Sequence, residues 1–189
     1  CYDIKNRMQY LNLGLPKSGL ESTRQVMAGL GVRTRTLRKP HITWENWLDH
    51  LDRIDLLQGY PYSAYYKKVI ATLQSPCKIF YTYRPLEKWL KSCKFAFSEI
   101  PEDNIQSDLR QRFFNTLVYD EHAFTEAWNE RLALAHHMGA RIIHLHEGVP
   151  DAYKWQQLYD LTGFNKPFPH ENRTPYPVHI PYQKHELVA

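Results

Sequence analysis

Residues Tyr10 to Ser22 read YLNLGLPKSGLES, and the fold turns on how that stretch is read. Gln9 to Leu13 is a short apolar run with the character of a buried strand, and it stops at Gly14. Pro16, Lys17, Ser18 and Gly19 follow. Next comes a segment, Gly19 to Leu30, with Leu20, Val26, Met27 and Leu30 at mainly helical spacings and Gly31 as its C-cap. A strand that turns tightly into a helix aims several backbone N–H groups at one point, where the helix dipole adds positive potential. Lys17 brings a cation to that point, and Ser18 and Ser22 bring hydroxyls. The loop lacks the full G-x-x-x-x-G-K-[ST] pattern of a nucleotide phosphate loop, and Glu21 stands where an anion would dock. An ordinary strand-to-helix turn can carry the same letters, so the loop alone leaves its ligand open.

The alternation continues along the chain. Val32 to Leu37 sets Val and Thr against Arg33 and Arg35, predicting a half-exposed strand, and Trp44 to Leu51 reads as helical. Ile54 to Leu57 predicts a short strand before the Tyr60-Pro61 turn, and Ala64 to Leu73 a helix. Lys78 to Tyr83, KIFYTY, is the clearest strand, aromatic and β-branched. Pro85 suits the first turn of a helix with Leu86, Trp89, Leu90, Cys93 and Phe97 on one face. Ile105 to Met138 reads as helical with a break near Tyr119-Asp120, then Arg141 to His146 as a strand and Ala152 to Thr162 as a helix stopped by Gly163. This order predicts an α/β fold of three layers, with a mainly parallel central sheet flanked by helices. The 189 residues form one domain, with an irregular Pro-rich tail from about residue 164.

A net charge of +4 fits an anionic ligand and is too mild for a nucleic-acid stripe. The cysteines, Cys1, Cys77 and Cys93, fall at no metal spacing and read as reduced thiols of a cytoplasmic chain. No apolar run approaches membrane-spanning length and no signal-peptide pattern opens the chain, although its first residue is Cys rather than Met. His144 and His146 share a strand face, a geometry that could bind metal, but no third ligand is visible and strand-face histidines are the plainer reading.

The segment YRPLEKWLKSC, Tyr83 to Cys93, supplies a second anion-binding candidate. Arg84 leaves the carboxyl end of the best strand, in the crevice where open α/β sheets bind ligands. Ser92 follows eight residues later, about two turns into the next helix, and faces the same crevice if that helix packs back over the sheet. A planar guanidinium with a hydroxyl makes a phosphate clamp. A plain salt bridge for Arg84 and a solvated Ser92 are the alternative.

With these residues in view, the chain resembles the sulfotransferases that use 3′-phosphoadenosine 5′-phosphosulfate (PAPS). GLPKSG, Gly14 to Gly19, resembles their loop for the 5′-phosphosulfate, and Tyr81 to Cys93 their 3′-phosphate segment. Trp155 to Thr174, WQQLYDLTGFNKPFPHENRT, is similar to the C-terminal block of a microbial-type branch. The resemblance implies a P-loop-like fold and transfer of a sulfuryl group to an acceptor hydroxyl or amine, with no metal needed. It implies that Pro16, Lys17, Ser18, Gly19, Leu20, Glu21 and Ser22 form the 5′ cradle, Lys17 neutralising the bridging oxygen as sulfate leaves. Arg84 and Ser92 would hold the 3′-phosphate, and Arg173 would close over the nucleotide. The acceptor would be a small molecule or glycan; nucleic acid and membrane are not expected partners, and the oligomeric state is left open. Tyr60, Tyr62, Tyr65 and Tyr66 could line an acceptor pocket or equally face the core, the reading that helical spacing favours for Tyr65, Tyr66 or both.

Three departures bear on activity. Leu20 and Glu21 replace a pair of hydroxyl residues after the loop glycine, so Glu21 must turn away from a dianion, toward a partner such as Arg24. Where the related branch carries an acidic residue this chain has Gln58, Gly59 and Tyr60, and the nearest substitutes for a general base are Asp55, His50 and His41, of which Asp55 is preferred. Pro85 replaces the acidic or amide residue after the arginine. Two readings therefore stand, an active sulfotransferase and a catalytically degenerate relative with a nucleotide-binding or structural role. A kinase-like phosphotransferase is disfavoured, because no carboxylate placed for magnesium follows a strand.

Overall fold

The computed structural model describes residues 8–34, 45–73 and 76–163. Among them are four strands, β1 (Gln9–Asn12), β2 (Leu56–Gln58), β3 (Cys77–Tyr83) and β4 (Arg141–His144). Six α-helices accompany them: α1 (Leu20–Gly29), α2 (Tyr66–Thr72), α3 (Leu86–Ala96), α4 (Asn104–Phe114), α5 (Glu121–His137) and α6 (Asp151–Thr162). A 3-10 helix spans Trp47–Arg53. The strands form one parallel sheet in the order β2-β1-β3-β4. Parallel pairing needs crossover connections, and these carry the helices onto both faces.

The period-two alternation of the strands sorts their side chains into two cores. Tyr10, Leu56, Phe80 and Ile143 pack with Val26 and Met27 of α1 and with Trp155, Leu158 and Tyr159 of α6. On the other face Leu11, Leu57 and Tyr81 meet Trp47 of the 3-10 helix, Val69 of α2 and Ala135 of α5. The fold is thus α/β in three layers, as the alternation in the sequence predicts. A third cluster lies beyond the strand ends, where Trp89 and Cys93 of α3 and Phe97, which caps it, pack with Phe113 and Phe114 of α4, Phe124 of α5 and Leu15 of the first loop. Phe114 and Phe124 stack with ring centroids 4.0 Å apart.

Boundaries differ from expectation in physically instructive ways. Val32 to Thr34 form no strand; instead the Arg33 carbonyl accepts from the amides of Asp55 and Leu56, at 2.8 and 3.1 Å, and closes the entry to β2. The remainder of that expected strand, residues 35–37, lies outside the described residues, as do Cys1, His41, Trp44, Arg173 and the tail from 164. The strand expected up to His146 ends at His144, and the helix expected from Trp44 is a 3-10 helix. The break between α4 and α5 falls where the sequence places it, with Asp120 capping α5 through a 2.8 Å bond from the Ala123 amide. Cys77 and Cys93 are free thiols. Burial pushes Cys77 up to about 11 and raises Cys93 further. Among the described residues no helix is long and apolar enough to cross a membrane.

Candidate functional site

The carboxyl ends of β1, β2 and β3 are tied together by one buried side chain. Asn12, the last residue of β1, donates through Nδ2 to Gln58 Oε1 (3.2 Å) and lies 3.3 Å from Thr82 Oγ1. Its Oδ1 accepts from the backbone amides of Gly14 (2.9 Å) and Thr82 (3.2 Å). The amide therefore fixes the point from which the Lys17 loop departs.

The loop itself is wound tightly. Lys17 adopts φ +69°, a left-handed conformation uncommon for a residue with a side chain, and Gly19 at φ +104° precedes the first helical residue. Such an outlier persists only where its surroundings hold it. Here Trp89 Nε1 donates to Pro16 O (2.8 Å), and Ser18 sends both its amide (3.1 Å) and its hydroxyl (2.7 Å) to Leu15 O. The Ser18 oxygen also pairs with Thr82 Oγ1 at 2.9 Å. Ser18 thus braces the loop through both its amide and its hydroxyl. The first amide to find a carbonyl within α1 is that of Thr23, on Gly19 O at 3.0 Å, so the amides ahead of it open toward the loop. Ser22 is buried and faces a small apolar crevice shared with Leu145, Trp155 and Leu158.

Arg84 follows the last residue of β3 and knits the second segment onto the first. Its Nη1 donates to Lys17 O (3.1 Å) and to Ser92 Oγ (2.9 Å), and Trp128 Nε1 donates to the Arg84 carbonyl at 3.1 Å. The guanidinium is buried, 8% exposed, and its Nη2 lies 3.3 Å from Glu147 Oε1. Lys17, Arg84 and Ser92 are therefore brought together at one edge of the sheet. Pro85 leaves this intact, sitting as the residue before α3. Next to the site, the Tyr83 ring packs against His144 at 5.0 Å and Trp128 at 5.7 Å. Burial, reinforced by nearby His146, lowers the His144 pKa.

Glu21 turns away from the loop. Both its oxygens engage Arg24, with the Nε to Oε2 bond at 2.9 Å, and Gln25 Nε2 donates to Oε1 at 3.1 Å. Leu20 keeps its place in the first turn, where its carbonyl accepts from Gln58 Nε2 at 2.7 Å.

Asp55 is not brought to the site. It precedes β2, at the amino end of the sheet, and its Oδ2 accepts from Arg33 N (3.1 Å) and Arg33 Nε (3.2 Å). His50 lies in the 3-10 helix that leads into the same end. The carboxylate that meets the Gln58 to Tyr60 segment comes instead from α4: Asp108 Oδ2 accepts from Tyr60 Oη (2.7 Å) and Tyr65 Oη (3.0 Å). Burial first, then Asp108, raises the Tyr60 pKa, so the phenol stays protonated and keeps donating. Asp108, Lys88 and Glu147 were not singled out by the sequence, because the contacts described here join them to partners 43 to 63 residues away. The nearest signal was the aromatic cluster around Tyr60.

Among the described residues no group of three or more His, Cys, Asp or Glu side chains could hold a metal ion. Compared with known proteins, the chain matches no family model and no curated protein.

The packing at Gly14 gives a direct test of the loop's construction. A Cβ there would lie 2.1 Å from Thr82 Oγ1 and 2.8 Å from Ser18 Oγ, both fixed by hydrogen bonds. Gly14→Ala is expected to cost about 1–3 kcal/mol in urea unfolding; an unchanged midpoint would mean that Thr82 yields and the network is soft.

Proposed function

We propose that this protein binds PAPS and transfers its sulfuryl group to the hydroxyl or amine of a small-molecule or glycan acceptor. The observation that carries this reading is the contact of Arg84 with both Lys17 O and Ser92 Oγ, which joins the two candidate anion sites into one. A donor with phosphate groups at both ends of its ribose needs two such sites, fixed relative to each other.

The residues divide the work by chemistry. Lys17 and the amides of Gly19, Leu20, Glu21 and Ser22 suit the 5′-phosphosulfate, with Pro16 and Ser18 holding the loop's shape. Arg84 and Ser92 suit the 3′-phosphate, the group that sets this donor apart from ATP. The donor supplies an activated sulfuryl group. The chain's task is to neutralise the charge on the departing bridging oxygen, through Lys17 and the amides, and to take a proton from the acceptor. We assign that second role to Asp108, the carboxylate beside Tyr60 at the carboxyl end of β2.

A second reading has its own support. Gln58 is committed to Asn12 and to the Leu20 carbonyl, and Asp55 sits at the far end of the sheet, so a protein that binds the nucleotide without turnover fits as well. Tight binding of adenosine 3′,5′-bisphosphate by a wild-type protein that never consumes the donor would favour it.

Three outcomes are expected. In calorimetry, Arg84→Ala should weaken the bisphosphate by about 1.5–3 kcal/mol and leave adenosine 5′-phosphate nearly unchanged; equal losses for both ligands would refute the assignment of the 3′ site. Glu21→Thr should shift bisphosphate affinity by less than about twofold, since Arg24 already holds the carboxylate aside. A clear tightening would mean that Glu21 repels the ligand. Asp108→Asn should slow transfer by about 10²–10⁴ with bisphosphate affinity retained, measured as donor consumption with phenolic and sugar acceptors; an undiminished rate would place the base elsewhere.

A further inference from the structure

The outward edge of Arg84 is already covered by an anion. Glu147, from the segment joining β4 to α6, sets Oε1 3.3 Å from Arg84 Nη2 and Oε2 3.8 Å from Lys88 Nζ. Lys88 Nζ also donates to the Glu147 carbonyl at 3.2 Å. Arg84, Lys88 and Ser92 recur every four residues, and Lys88 and Ser92 lie one turn apart on the same side of α3. The guanidinium is 8% exposed while Glu147 is 62% exposed, so the carboxylate lies on the solvent side of a buried charge. One carboxylate spanning a guanidinium and an ammonium uses the donors that two oxygens of a phosphate monoester would use. Glu21, the other carboxylate near the loop, is held off by Arg24, so Glu147 is the one that fills the cradle.

We infer that Glu147 is a displaceable internal anion, and that Lys88 joins Arg84 and Ser92 in binding the phosphate monoester that replaces it. The identity of that ligand as a nucleoside 3′-phosphate rests on the function proposed above. The incoming phosphate meets Arg84 and Lys88 as Glu147 leaves, so the buried guanidinium keeps an anionic partner throughout. A phosphate dianion, with twice the charge of a carboxylate, displaces it; a singly charged group does not. The cradle thereby selects against carboxylates and other monoanions. On binding, Lys88 exchanges one anionic partner for another and Glu147 swings into water.

The test is calorimetry of wild type, Glu147→Gln, Lys88→Gln and Arg84→Ala with adenosine 3′,5′-bisphosphate and with adenosine 5′-phosphate. Glu147→Gln is expected to tighten the bisphosphate by about five- to twentyfold and to leave adenosine 5′-phosphate within twofold. Lys88→Gln is expected to weaken only the bisphosphate, several-fold. Binding of the bisphosphate seen in Glu147→Gln but not in wild type supports the inference in its strongest form. An unchanged bisphosphate affinity in Glu147→Gln overturns it, including where the melting temperature falls, because a merely structural pair would move stability alone. If Arg84→Ala still abolishes the preference for the bisphosphate, the site assignment survives that result. If wild type and Glu147→Gln both bind the two nucleotides equally or not at all, the assignment and the inference fall together.

Discussion

Arg84 is a charge taken out of water at the end of a buried strand, and the candidate site is organised by what that requires. A buried guanidinium is costly unless its donors are met. Here its two terminal nitrogens are met by groups from three separate parts of the chain: the Lys17 carbonyl, the Ser92 hydroxyl and the Glu147 carboxylate. Satisfying one side chain therefore fixes the β1–α1 loop, helix α3 and the β4–α6 segment relative to one another. The left-handed Lys17 fits this arrangement, since its carbonyl is turned to the guanidinium while its residue position stays at the mouth of the loop.

Beneath that contact lies a layer of uncharged hydrogen bonds. Asn12, Thr82 and Ser18 exchange bonds at the ends of β1 and β3, and Gly14 fits between them with no room for a side chain. Trp89 closes the stack from α3 and is itself fully buried among aromatic rings. Sites that must hold a ligand's charged groups at fixed separation gain from such rigid support. Glu147 and Lys88 stand half-exposed at the margin of this rigid centre.

Much of this was legible in the sequence because it is local. KIFYTY and YLNL carry strand patterns that no neighbour has to complete, and the glycine and proline punctuation set the helix starts close to where they fall. The approach of Lys17 to Arg84 follows from parallel strands alone, since both residues leave adjacent carboxyl ends. What escaped was whatever depended on direction or distance. The bonds of Ser18 to Leu15 and Thr82 have no local signature. Asp55 reads as close to the site because few residues separate it from Gly59. A strand advances about 3.3 Å per residue, and β2 carries Asp55 to the wrong end. The alternation after Gly31 reads as a strand, yet Arg33 spends its hydrogen bonds on Asp55 and Leu56. Asp108 and Glu147 have no local pattern at all.

The central claim is that one protein surface holds two phosphate groups of one nucleotide, the first at the Lys17 loop and the second at Arg84. Phosphorus NMR of adenosine 3′,5′-bisphosphate titrated with the protein reads each group separately. Both resonances should shift, saturating with the same dissociation constant. A shift confined to the 5′-phosphate, or two resonances that saturate independently, would contradict the account.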